Sequence, residues 1–249
     1  MEYRNIFLAN PARLSVQREQ LVIEQAEKIT VPLEDISSVL IESQQVTLSV
    51  HAAAAMADHG ITVFLCDEKH LPSCQLLPIN QFCRQRKLLL SQCEMGKPLQ
   101  KQLWQQIVVR KEEWQELQQM AGKVLSNDSD NREAVAAALY FPALFGNGFF
   151  RGSDDPRNAA LNYGYAVMRA GIARNLVVHG LEPCIGLHHR SELNNFNLAD
   201  DLIEPFRPIV DLYVAQNFSK DDVVLTPRQK AGLFNLTNYL VKQAGRRYR

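Results

Sequence analysis

The hydrophobic period of the chain breaks near residue 80, and that break constrains the fold more than any single motif. Up to about Pro78 the apolar residues come in short runs, many of them β-branched: Ile6 to Ala9, Arg13 to Arg18, Leu21 to Gln25, Ile29 to Leu33 and Val39 to Ser43. Turn-forming pairs such as Asn10-Pro11 and Glu34-Asp35 separate them. This is the signature of consecutive strands. Val46 to Asp58 interrupts the pattern with an Ala52 to Ala55 run that favours a helix, and Gly60 stops it. Ile61 to Cys66 is an apolar strand broken only by Thr62, as a strand covered on both faces would be, and Leu71 to Ile79 allows one more strand. Beyond residue 80 the period becomes helical over Gln81 to Glu94, Leu99 to Leu125 and the apolar stretch Arg132 to Leu144. Asp155-Pro156 is an N-cap followed by proline at the first helical position, and the helix it opens runs to His179-Gly180. Leu198 to Glu204 and Pro227 to Gln243 complete the helical set. The expected fold is α+β: a small β-rich N-terminal domain over residues 1–78, then a larger all-helical domain over 79–249.

Composition excludes several classes. Apolar residues make up 46% of 249, which is enough to bury a core and argues against disorder. Lysine plus arginine equals aspartate plus glutamate at 27 each, so the chain is not a coat-like nucleic-acid binder, although a local basic face remains open to it. Neither a membrane span nor a leader is expected: no apolar run approaches ~20 residues, and the first residues lack a cationic segment followed by an apolar one. Five cysteines without a Cys-x-x-Cys pair read as reduced thiols of a cytoplasmic protein.

The segment 184–211 carries polar groups that a plain helical core would not use. His188 and His189 precede Asp200, Asp201 and Glu204. Asp200 with Glu204, or Asp201 with Glu204, would project two carboxylates from one helix face. Imidazole plus carboxylate suits Mg²⁺, Mn²⁺ or Zn²⁺. A solvated acidic face is the plainer reading of the same spacing, and Cys184 with His188 lacks the second pair that zinc would need. Glu133 opens an apolar helix, where Asp130 as N-cap and Glu133 three residues on would also make a capping box.

These residues resemble a known family. The string NYGYAVMRAGIARNLVVHGLEPCIGLHHRSELNNFNLADDLIEPFRPIVD, with the NREA and DPRNAALNYGY blocks, is similar to the CRISPR-associated adaptation integrase, most of all its type II branch. The resemblance spans nearly the whole chain. It implies a catalytic, metal-binding set of Glu133, His189 (with Gly186 as the glycine of its Gly-x-x-His) and Glu204, with Asp200 and Asp201 as neighbouring alternatives to Glu204. It implies Mg²⁺ or Mn²⁺ as cofactor and a transesterification on double-stranded DNA, in which a 3′-hydroxyl of the prespacer attacks a phosphodiester at the CRISPR repeat boundary. It also implies a homodimer, formed in part by residues 1–78, with two such dimers flanking a dimer of a small partner protein.

Such chemistry needs cations against phosphate. Arg84, Arg86 and Lys87 cluster at the first helix of the second part; Arg151, Arg157, Arg169 and Arg174 border the DPRNAALNYGY helix; Arg190 adjoins His189. Each is a candidate DNA contact, with pairing to local acids as the alternative. Arg207 is placed to brace Asp211 or Glu204, and at least one of Tyr163 and Tyr165 is expected in the core. A non-catalytic DNA-binding scaffold and a structure-specific repair nuclease are the competing functions.

Overall fold

The structure, a computed structural model, describes residues 4–76, 84–119, 140–222 and 224–238. Two sheets occupy the N-terminal part. The first has the order β1-β5-β7-β8, from Arg4–Leu8, Ile36–Ile41, Thr62–Cys66 and Pro72–Leu76. Its β1–β5 and β5–β7 pairs are parallel and β7–β8 is antiparallel. The second has the order β4-β3-β2-β6, with β2 Arg13–Gln17, β3 Gln20–Glu24, β4 Lys28–Pro32 and β6 Thr47–Leu48. Arg18 and Glu19 both take positive φ, the two-residue geometry that matches the twist of the β2–β3 hairpin. Helix α1, Val50–Asp58, makes the crossover from β5 to β7, and the Ser49 hydroxyl caps it by accepting the Ala52 N–H.

Alternation along β5 and β7 divides the apolar residues between two cores. Val39, Ile41 and Val63 face one cluster with Leu14, Leu21 and Met56. Leu40, Phe64 and Cys66 face the other, built mainly by the helices. The first sheet is therefore covered on both sides, which explains why Ile61 to Cys66 has no polar face.

The helices are α2 Gln85–Cys93, α3 Lys97–Gln119, α4 (residues 140–145), α5 Pro156–Val178, α6 Asn197–Ile203, α7 Arg207–Asn217 and α8 Pro227–Asn235. A single 3₁₀ turn, Glu204–Phe206, joins α6 to α7. α5 is the axis of this part and packs on α6, α7, α8 and β8. It starts as its sequence requires, with the Asp155 carboxylate accepting the Arg157 N–H and Pro156 in the first turn. Polar pins fasten it and α8 to the strands. Arg174 donates to the Gly60 carbonyl, Gln75 donates to the Ala170 carbonyl at 2.8 Å, and Lys230 forms a buried pair with Glu42.

One helix was not foreseen. Pro205 precedes α7 and Pro208 falls in its first turn. Both sit in the first turn of the element they open, where a missing N–H costs nothing. α8 runs to Asn235, and residues 239–243 of the expected span lie outside the described residues. Among the described residues, no helix is long and apolar enough to cross a membrane.

The approach of α7 and α8 to α5 is set by Gly164, since a Cβ there would lie 2.5 Å from Val210 Cγ1 and 3.2 Å from Leu233 Cδ2. Gly164→Ala should therefore destabilise the protein by about 1–3 kcal/mol in urea unfolding, although alanine is the better helix former. Adding Val210→Ala should recover part of the loss. A stabilised single variant would contradict this packing.

Candidate metal and nucleic-acid site

The site begins with the loop between α5 and α6. Asp201, fully buried on α6, accepts the backbone N–H groups of Leu187, His188 and His189 at 2.6, 3.0 and 3.1 Å. Its Oδ1 also lies 2.7 Å from His189 Nδ1. Asn197, one turn earlier, donates to the carbonyls of Cys184 and Ser191 and accepts the Ser191 N–H. The loop wraps so closely that a Cβ on Gly186 would collide with the His189 carbonyl oxygen and lie 3.0 Å from Asp201 Oδ2. Glycine at that position is a packing requirement.

This fixes the chemistry of His189. With Nδ1–H donated to a buried carboxylate, the neutral ring carries its lone pair on Nε2, the tautomer suited to a metal. His188 is engaged differently: its ring stacks on Trp104 of α3, with centroids 4.3 Å apart and planes 7° from parallel. Trp104 meets His189 edge-on at 6.4 Å.

Glu204 lies one turn beyond Asp201 and is also buried. Lys111 Nζ is 2.7 Å from its Oε2 and Arg207 Nε is 2.7 Å from its Oε1. Burial alone would raise the Glu204 pKa, but Arg207 and Lys111 together hold it below the usual carboxylate range. Arg207 thus braces Glu204 rather than Asp211, and its guanidinium also lies 4.7 Å from the Tyr165 ring centre. The other two acids are used elsewhere. Both Asp201 oxygens serve the loop, and Asp200 accepts from Asn194 and faces Arg169 at 3.7 Å. The donor set offered by the described residues, one imidazole and one ionised carboxylate, fits a hard divalent cation such as Mg²⁺ or Mn²⁺. Glu133 lies outside the described residues, and among those described no three His, Cys, Asp or Glu side chains form a metal-sized group.

The cations divide by how they are used. Arg84, Arg86 and Lys87 are exposed at the start of α2, and Arg190 is exposed with its guanidinium on Gln100 Oε1 at 2.7 Å. Arg151 is half-buried, donates to Asn158 and Asn162, and lies over the Phe141 and Tyr165 rings. Arg157 is committed to the N-terminus of α5: it pairs with Asp155, donates to the Phe145 carbonyl and lies over Phe145 and Phe149. Arg174 ties α5 to the turn before β7. Tyr163 is buried in the core, whereas Tyr165 donates to Asp211. Sequence reasoning missed the contribution of α3. Gln100, Trp104 and Lys111 are spaced by four and seven residues, a single helical stripe that could have been read as a docking face.

The chain belongs to the CRISPR-associated protein Cas1 family, whose model matches residues 6–140 and 110–234. It is 45% identical to a CRISPR-associated endonuclease Cas1 of Neisseria meningitidis over 97% of this chain and 85% of that protein. The fold is shared with a Cas1 protein from Thermotoga maritima, at a TM-score of 0.75 and 17% identity, covering 97% of this chain and 90% of that one. It is shared also with a casposase bound to integration product, at a TM-score of 0.72 and 19% identity, covering 95% and 82%.

Behind Glu204, Asp211 accepts from Tyr165 and, at 3.0 Å, from Tyr140. Burial pushes its pKa up to about 6, against those hydrogen bonds and against Arg207 and Arg151. A raised carboxyl stabilises the fold below its unfolded pKa, near 4, and that contribution disappears as pH rises through about 6. Asp211→Asn should remove this slope. The stability of wild type minus that of the variant, from urea unfolding at pH 4.5 to 7.5, should fall by about 2 kcal/mol across the window. A flat difference would contradict the buried, ionising carboxyl.

Proposed function

We propose that the protein is a metal-dependent DNA integrase and endonuclease that inserts new spacers into a CRISPR array. The observation that carries this, in a Cas1-family chain, is the Asp201 carboxylate, which takes the Nδ1 of His189 one turn before the ionised Glu204. Glu133, His189 and Glu204 would hold Mg²⁺ or Mn²⁺. When bound, the metal would offset the charge that develops on the phosphate oxygens and favour the ionised 3′-hydroxyl. The 3′-oxygen of the prespacer attacks phosphorus at the repeat boundary; a P–O bond forms, the bond to the leaving 3′-oxygen breaks, and that oxygen takes up a proton. Asp201 keeps the His189 proton on Nδ1, so Nε2 stays aimed at the site. Arg207 holds the Glu204 carboxylate in one orientation. Water in place of the 3′-hydroxyl gives hydrolysis at the same site.

Arg84, Arg86, Lys87 and Arg190 are the exposed cations available to the duplex; Arg151 and Arg157 would act on DNA from positions already fixed by Asn158, Asn162 and Asp155. The reading extends to a cytoplasmic homodimer that uses residues 1–78 and to two such dimers around a small partner protein. The Neisseria relative, a CRISPR-associated endonuclease, supports the nuclease part of this reading.

Glu133→Ala, His189→Ala and Glu204→Ala should each lower strand transfer into a repeat-bearing duplex by at least ~100-fold with Mn²⁺ or Mg²⁺ present; Glu204→Ala should also lower the melting temperature, because it leaves Lys111 and Arg207 unpaired. Full transfer in Glu133→Ala or His189→Ala would overturn the assignment, and so would transfer that ignores the repeat sequence. Neutralising Arg84, Arg86 and Lys87 together should weaken DNA binding and flatten the plot of log affinity against log salt by up to about 3. An unchanged slope would mean that these charges do not reach phosphate.

A further inference from the structure

Resting on the metal reading above, we infer that Lys111 is a resident cation that competes with the divalent metal for Glu204, so that α3 sets the affinity of the site. Both carboxylate oxygens of Glu204 are taken, Oε1 by Arg207 and Oε2 by Lys111. The two partners are not equivalent. Arg207 is three residues from Glu204 and is held by Tyr165, so it stays with the carboxylate. Lys111 arrives from another element on a flexible four-carbon stem. A metal that takes Oε2 must displace it, because an ammonium and a dication on one oxygen repel each other.

α3 reaches three of the described parts of the site. Gln100 accepts from Arg190, Trp104 packs on His188 and His189, and Lys111 pairs with Glu204. These three positions lie within about 40° of one another around the helix axis, so the helix docks as one stripe. Lys111 is thereby carried to Glu204 by contacts that do not themselves involve the metal ligands' donor atoms. Its position also keeps the buried carboxylate ionised and compensated without the metal, which removes the cost of an isolated buried charge.

The test is Mn²⁺ binding to the full-length protein without DNA, read from the electron paramagnetic resonance signal of aqueous Mn²⁺. Lys111→Met should bind Mn²⁺ about tenfold more tightly than wild type, because the competitor is gone. Lys111→Arg should bind no more tightly than wild type, because the charge remains. Damage to the fold acts in the opposite direction and weakens binding, so the sign of the change separates the two. Equal or weaker binding by Lys111→Met, in a protein that binds Mn²⁺ through His189, would overturn this inference and leave the metal reading intact. Loss of binding in wild type and variant alike would remove both. If the methionine variant does not fold, acetylation of wild type by an N-hydroxysuccinimide ester gives the same answer. Mn²⁺ should raise modification of Lys111 severalfold and leave Lys101 on the same helix unchanged; no rise at Lys111 would overturn the displacement.

Discussion

The carboxylate of Asp201 is the contact on which the candidate site depends. It satisfies three consecutive backbone N–H groups and one imidazole from a single buried position. Without it, three partly buried amides would lose their partners, each at a cost of up to about 1–3 kcal/mol. The loop would then lose the contact that orients the His189 ring. The same carboxylate decides the tautomer of the ring, so one interaction supplies both the shape of the loop and the chemistry of the nitrogen it offers. Asn197 and Gly186 serve this arrangement, one by tying the ends of the loop to α6 and the other by leaving room for the wrap.

Around that anchor the polar groups form a graded series. Glu204 is ionised between two cations, and Arg207 passes from it to the face of Tyr165. Tyr165 in turn donates to Asp211, whose burial keeps it close to neutrality in mildly acidic solution. The site is thus backed by hydrogen-bonded and stacked groups rather than by open solvent. The first sheet stands behind α5 and α8, fastened by the buried Lys230–Glu42 pair and by Arg174 on Gly60. Shared use of β5 and β7 by two cores makes the strand part a wall of the helical part as well as a unit with its own interior.

Much of this was legible in the sequence. The change of period near residue 80 separates strands from helices, and the Asp155-Pro156 start of α5 is written in two residues. α7 was hidden because Pro205 and Pro208 look alike as breakers and as first-turn residues, and only three-dimensional context tells which they are. The acids near Glu204 could be listed but not sorted. Helical rotation of about 100° per residue sends Asp200 toward Arg169 and Asp201 into the loop, and spacing alone does not say which face is inward. Trp104 and Lys111 escaped notice because nothing local marks which distant loop their stripe will meet. The family resemblance points to Glu133, His189 and Glu204; the geometry adds that His189 has its Nδ1 on a buried carboxylate while His188 stacks on Trp104.

The central claim is that Asp201 presents His189 Nε2 to a divalent metal beside Glu204. Electron spin echo envelope modulation of bound Mn²⁺ tests it most directly, because it detects a coordinated imidazole nitrogen without relying on activity. The account predicts a ¹⁴N modulation that persists in His188→Ala and vanishes in His189→Ala. A modulation that survives in His189→Ala, or that is lost in His188→Ala, would contradict it.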